Sequence, residues 1–420
     1  MNEREDSIMK LAKIFKNSAI VTCFWLFFQS GIAITQARAD EEQDESKTRA
    51  VYVMSNLAEG NSIIAFHRDE QGVITRQAEV STGGLGSGPG PLPVEFGNSG
   101  QSPLPLESQD SLIAAREGRF LIAVNAGSND ISVLKITEDG LQLTDKAPSG
   151  GIFPASLAQH HNLIYVVNLG GVPLLESSPG TPTMTGFFLS PSGKLTPIPE
   201  STLVTGNFGS APADIVFSPD GRYLVLAERP TNLLDVFPVR DDGTLGEKVV
   251  TPSNNPTPFG MMFTRQGVLM VTESVDQNPR FPMPNRSTMS SYRIKDDGTL
   301  ETISRAVPDQ QTAACWVRFT KDERFAFVTN SPSGTVSTYN MSPHGELSLA
   351  FSIAADMGML SAPIDEAITP DGKYLYVDAP HLGAPMIGEL IGWRVEKDGS
   401  LTQVSKVGGL PISFSGAVAF

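Results

Sequence analysis

Ala211–Asp242, APADIVFSPDGRYLVLAERPTNLLDVFPVRDD, reads as three short strands joined by tight turns. A first apolar run ends at Ser218-Pro219-Asp220-Gly221 and a second ends at Glu228. A third leads into Asp241-Asp242-Gly243-Thr244-Leu245, which sends the chain into a fourth strand. The runs are short and rich in Val, Leu, Ile and Phe, and the turns carry the Pro, Asp and Gly that reversals of the chain need.

The unit recurs. Counted from the glycine of its later turn, copies fall at Gly72, Gly140, Gly193, Gly243, Gly298, Gly345 and Gly399. The second strand of each copy is recognisable too, ending at Asn56, Asn125, Asn168, Glu228, Glu273, Asn330 and, in YLYVDA, Ala379. Four strands repeated about every 50 residues predict an all-β, seven-bladed β-propeller. The first unit starts near Ala50 without an innermost strand, whereas Pro411–Phe420 (PISFSGAVAF) matches such a strand with nothing after it. The C-terminal strand is therefore expected to complete the first blade and close the ring, making residues 49–420 one domain.

The 420 residues hold 31 Lys and Arg against 46 Asp and Glu, with 39 Gly and 31 Pro. Lys10, Lys13 and Lys16 precede an apolar core over 19–28, and Ala37-Arg38-Ala39 offers a small-x-small cleavage site before Asp40. Residues 1–39 read as a signal peptide, with Met9 a plausible start, and the core is too short for the roughly 20 residues of a membrane span. Export to the periplasm or the exterior is expected, with no membrane span after cleavage. Residues 40–48 (DEEQDESKT) read as a disordered leader. Without residues 1–39 the chain keeps 26 basic and 43 acidic residues, a formal charge of −17. Such a surface argues against nucleic acid as a partner. Cys315 is then the one cysteine left, so neither a disulfide framework nor a cysteine-based metal site is expected.

Six stretches in blade order carry a family resemblance: VNAGSNDISVLKI (124–136), SGG (149–151), TPFGMMF (257–263), SSYRI (290–294), AACW (313–316) and TNSPSGTVSTY (329–339). With them the chain resembles the seven-bladed lactonase-type propellers, relatives of YVTN-repeat proteins and of bacterial proteins labelled 6-phosphogluconolactonase or 3-carboxymuconate cyclase. The resemblance implies a lactonase-type hydrolase acting on a small lactone, though the family also includes cycloisomerase-like members. The better-known members carry Pro-Arg-His where this chain has Pro212-Ala213-Asp214, and an Arg where it reads Gly267-Val268-Leu269-Met270. Glu228 matches the family's Glu.

Antiparallel blades bring the start of strand one and the end of strand two to one mouth of the ring. Ser156, Asp214, Trp316 and Asp365 arrive there from strand one, and Asn125, Asn168, Glu228, Glu273, Asn330 and Asp378 from strand two. The long insertions 85–108, 169–183 and 274–287 lie at the same mouth, where they either bind a ligand or plug the channel. Glu228 and Glu273 stand in neighbouring blades as a candidate acid and base, since two close carboxylates separate their pKa values. Asp214 and His381 are candidates to assist proton transfer. Asn125, Asn168, Asn330, Trp316, Asp365 and Asp378 are candidates to bind substrate, with Trp316 able to stack on a flat ring. The same Asn and carboxylate positions serve equally as caps of strand ends, and Trp316 equally as packing. No cofactor is expected; a ring of carboxylates could hold Ca²⁺, but no dense Asp-x-Asp loop supports it. His67, His344 and the His160-His161 pair fall away from the mouth, and no Ser-His-Asp order or Gly-x-Ser-x-Gly elbow occurs. Two functions stay open: a monomeric lactonase-like hydrolase of a small lactone or sugar-derived ring, and a non-catalytic propeller binding a glycan, peptide or protein partner.

Overall fold

The computed structural model describes residues 49–420 except 89, 92–100, 103–105, 107, 172–179, 207–209, 279–280 and 359. The expected signal peptide (1–39) and leader (40–48) lie outside the described residues, as do parts of the three long insertions. Among the described residues there is no α-helix; the chain from Ala50 to Phe420 forms seven antiparallel blades in a ring, six of four strands and the third with Leu203–Val204 as a short fifth. No helix among them is long and apolar enough to cross a membrane.

The closing strand behaves as the sequence predicts. Ser415–Ala419 pairs with Ala50–Met54 as the innermost strand of the first blade, whose remaining strands are Ser62–Arg68 and Ile74–Ser81. The seam is tied at its end, where Phe420 N–H donates to the Ala50 carbonyl at 2.8 Å and the Arg68 guanidinium donates to the Phe420 carbonyl at 3.0 and 3.2 Å.

Strand two reads as a continuous apolar run because both its faces are buried between blades. In Tyr223–Glu228, Leu224 and Leu226 pack towards blade three with Tyr165 and Phe237. The alternate residues Val225 and Ala227 pack towards blade five with Leu269 and Val271. This two-residue alternation across a sheet buried on both sides builds the core as layers between blades rather than as one central mass.

The seven glycines that set the repeat all stand at positive φ, between 81° and 112°. A side chain there would be strained, and at Gly72 a Cβ would also come within 2.3 Å of the Tyr374 ring in blade seven. The repeat glycine thus turns the chain and lets that turn approach the start of strand two in the preceding blade.

Candidate functional site in the central channel

The Asn and Glu residues that end strand two each bond within their own blade, and Asn125 Oδ1 also accepts Asn61 Nδ2 at 2.9 Å and Thr82 Oγ1 at 2.7 Å from the blade-one segment. Asn125 Nδ2 donates to Asp130 Oδ1 at 2.6 Å and Ser132 Oγ at 2.8 Å, one strand over. Asn330 Nδ2 repeats this with Thr335 Oγ1 at 3.2 Å and Ser337 Oγ at 2.8 Å, and Asn168 Nδ2 donates to Thr183 Oγ1 at 3.3 Å. Glu228 Oε2 accepts the Thr231 hydroxyl at 2.6 Å, while Oε1 faces the Lys248 ammonium at 4.0 Å. Lys248 in turn pairs with Asp235 and donates to the Thr205 carbonyl at 2.6 Å. Glu273 is buried among hydroxyls, accepting Thr288 at 2.5 Å and Ser253 at 3.2 Å. Burial pushes Glu273 up to about 7 and also raises Glu228. The charges acting on Glu228 are Asp235 and Lys248; Glu273 feels hydroxyls and a backbone amide, not Glu228. The two occupy separate polar cages, one per blade.

His381 stands apart, at the end of a second strand, Tyr374–His381, that runs further than the loop expected at 379–383. The His160 and His161 rings meet edge to face with centroids 4.2 Å apart, and His160 also meets Phe217, at the opposite face as expected.

The channel holds a different arrangement, and most of it comes from residues that sequence reasoning missed. The last part of the first long insertion, Ser108-Gln109-Asp110, enters the channel ahead of the blade-two inner strand Leu112–Ala115 and bonds to the inner strands of four other blades. Ser108 Oγ donates to the Ala213 carbonyl at 2.7 Å, and the Ser108 carbonyl accepts Trp316 Nε1–H at 3.0 Å. Gln109 is fully employed. Its Nε2 donates to Asp214 Oδ2 at 3.1 Å and the Met261 carbonyl at 2.6 Å, and its Oε1 accepts Val317 N–H at 2.9 Å. The Asp110 carbonyl accepts Leu157 N–H at 3.0 Å, and its Oδ1 accepts Arg318 Nη2 at 2.7 Å.

Trp316 is consequently buried, its N–H occupied by Ser108 and its ring against Phe259 at 4.8 Å. Asp214 is enclosed by Gln109, Ser156 at 3.1 Å and Met261 N–H at 2.8 Å. Of the expected site residues, the structure gathers Asp214, Trp316, Asp365 and Asp378 around the channel; Glu228, Glu273, His381 and the three Asn are held outside this group.

Arg318 is the one cation of the cluster. Asp110 lies at 2.7 Å from it and Asp365 at 3.5 Å, with Glu366 and Asp214 also within its field. Burial works against the guanidinium charge, but these carboxylates outweigh it and hold the group firmly protonated. The carboxylates are raised by the same burial: Asp365 to about 7, Asp110 upwards despite Arg318, and Asp214, Glu366 and Asp378 well above the usual range. Neither Asp378 oxygen has a hydrogen-bond partner, and burial together with Asp365 holds its carboxyl well above the usual range. No group of three or more His, Cys, Asp or Glu among the described residues has the arrangement to hold a metal ion.

Strand register shows how Arg318 differs from its counterparts. Ile113, Ala158, Val216, Met262, Ile368 and Ala417 occupy the corresponding level of the other six inner strands. A single Arg in a ring of apolar residues was visible in ACWVRF once the blades are superposed; Gln109 and Asp110 gave no signal beyond their place at the end of an insertion. On the face of the strand-one to strand-two turns, the inner strands line a funnel of about 520 Å³ whose wall includes Asp110 and Arg318. These two side chains keep 22% and 13% of their surface exposed, unlike the sealed Asp214 and Asp365.

Comparison with known proteins agrees with this architecture. Residues 183–279, spanning blade four and its flanks, match the family described as "Lactonase, 7-bladed beta-propeller". A solved structure from Bacteroides uniformis, described as a "putative 6-phosphogluconolactonase", is 17% identical with a TM-score of 0.61, covering 88% of this chain and 99% of that one. The periplasmic gluconolactonase of Pseudomonas aeruginosa is 16% identical with a TM-score of 0.61, covering 87% and 98%. At these identities the likeness is one of fold. No curated protein matches the chain. The fold is that of the seven-bladed lactonase-type propellers.

Proposed function

We propose that this propeller is an exported hydrolase of a small lactone, with its reaction centre in the funnel. The observation that carries the reading is the Asp110–Arg318 pair, 2.7 Å apart and partly exposed in the lining of a cavity of about 520 Å³. Ester opening needs a base for water and a positive group for the oxygen on which charge develops. Asp110, raised by burial but kept in balance by Arg318, suits the first role, and the guanidinium suits the second. Water's oxygen bonds to the acyl carbon while Asp110 takes its proton. The ring C–O bond breaks, the departing oxygen receives that proton, and a hydroxy acid leaves. Asp365, out of reach of the funnel, positions Arg318 from behind.

Export is supported by the basic and then apolar stretch within residues 1–39. Mass spectrometry of the protein recovered from its native host tests that part: an N-terminus at Asp40 is expected, and retention of residues 1–39 overturns it.

Proton release from γ- and δ-lactones by the purified protein tests the chemistry, with Asp110→Asn alongside. Turnover that falls at least a hundredfold in the variant is expected; equal turnover in both removes Asp110 from the reaction. A second reading, a propeller that holds its ligand without turnover, is favoured by the fact that Arg318 is already neutralised by Asp110 and Asp365. Saturable lactone binding with no proton release would establish it.

A further inference from the structure

Sugar lactones would need hydroxyl partners, and the funnel has few to give. Among the described residues lining it, only Asp110, Thr264, Arg265 and Arg318 have polar side chains. The Thr264 hydroxyl already accepts Val268 N–H at 3.1 Å, and Arg265, at the rim, is bonded to Glu323 at 3.2 Å. The rest of the lining is hydrocarbon and thioether: Val216, Met262 and Ile368 at the level of Arg318, and Phe263 and Val418 one residue nearer the turns, contributed by four blades and each partly exposed. A cavity with apolar walls and a few convergent polar groups, within the roughly 300–1,000 Å³ of small-molecule sites, fixes a ligand by one polar end and buries the rest.

We infer that the funnel takes a lactone carrying an unbranched hydrocarbon chain, with the ring ester at Arg318 and Asp110 and the chain along Val216, Met262 and Val418. This rests on the hydrolytic reading for its chemistry, but the binding geometry is separate from turnover. A polyhydroxylated ring would leave its hydroxyls against apolar walls, unable to recover the hydrogen bonds that water gave them, and each such loss weakens binding. A chain would instead leave water for the wall, and each methylene buried adds to binding.

The experiment measures kcat/KM on glucono-δ-lactone, γ-butyrolactone, γ-octanolactone and γ-decanolactone, and calorimetric binding of the non-hydrolysable γ-decanolactam, each with the full chain and with Val216→Asn and Met262→Asn. Circular dichroism of each variant verifies folding. Rates rising about fourfold per added methylene until the funnel is filled, with KM raised about tenfold in the variants at unchanged kcat, are expected. Lactam binding weakened in both variants, with no lactone turned over, supports the chain site while overturning the hydrolase. Glucono-δ-lactone turned over as fast as γ-decanolactone, with the variants indifferent, overturns the chain site and leaves the hydrolase standing. Neither turnover nor lactam binding overturns both.

Discussion

Two sets of buried polar residues, only a few positions apart along the blades, are stabilised in different ways. Those ending strand two find partners in the same blade, as Asn330 does with Thr335 and Ser337. Those in the channel find partners in other blades, as Gln109 does with Asp214, Met261 and Val317. The first arrangement can be copied with the repeat because each copy brings its own partner. The second exists once, requires the ring to be closed, and concentrates charge where the blades converge. A lone functional centre in a repeat protein belongs to the second kind.

The sharpest way to break this comparison is Arg318→Met. It leaves Asp110 and Asp365 buried without a counter-charge, and a loss of about 3–5 kcal/mol is expected by urea unfolding, with hydrolysis abolished. Gln109→Ala is next. It takes the Gln109 partner from Val317 N–H and the Met261 carbonyl and one of three donors from Asp214, and since each unpaired group costs about 1–3 kcal/mol, a total near 3 kcal/mol is expected from the same measurement.

Glu273 tests the within-blade side through pH. Burial raises its carboxyl from 4.5 to about 7 in the folded chain. The folded state therefore keeps a proton that the unfolded state releases, so stability falls as pH rises through that window. Glu273→Gln removes this share. Its stability relative to the wild type should rise by about 3 kcal/mol between pH 4 and pH 8, read from melting curves across pH; parallel curves for the two proteins would sink the assignment. The smallest effect belongs to Asn330→Ala, about 1 kcal/mol with hydrolysis intact. A cost equal to that of Gln109→Ala would erase the distinction between the two sets.

The fold was legible because it is written seven times. Each repeat glycine marks a turn that only positive φ allows, and each strand-two run declares burial on both faces. Even the closing strand could be placed, since Pro411–Phe420 fills the vacancy that the first unit leaves. The channel was less legible for a physical reason. Asp214, Trp316 and Asp365 were expected at a mouth, yet what they meet depends on Ser108–Asp110, whose path crosses four blades and has no counterpart in the repeat. Periodicity predicts neighbours that recur. It is silent on a segment that appears once and bonds to everything around it.

The seam that joins Ser415–Ala419 to Ala50–Met54 has a consequence for how the protein is made. Ser415–Ala419 is made after every other strand of the ring, so synthesis must pass it before the first blade can be completed. Until then the earliest-made blade waits with its inner edge unpaired, ready to zip against whatever strand arrives first. A chain cut before Ser415 would keep all the other blade strands and still leave the ring ajar.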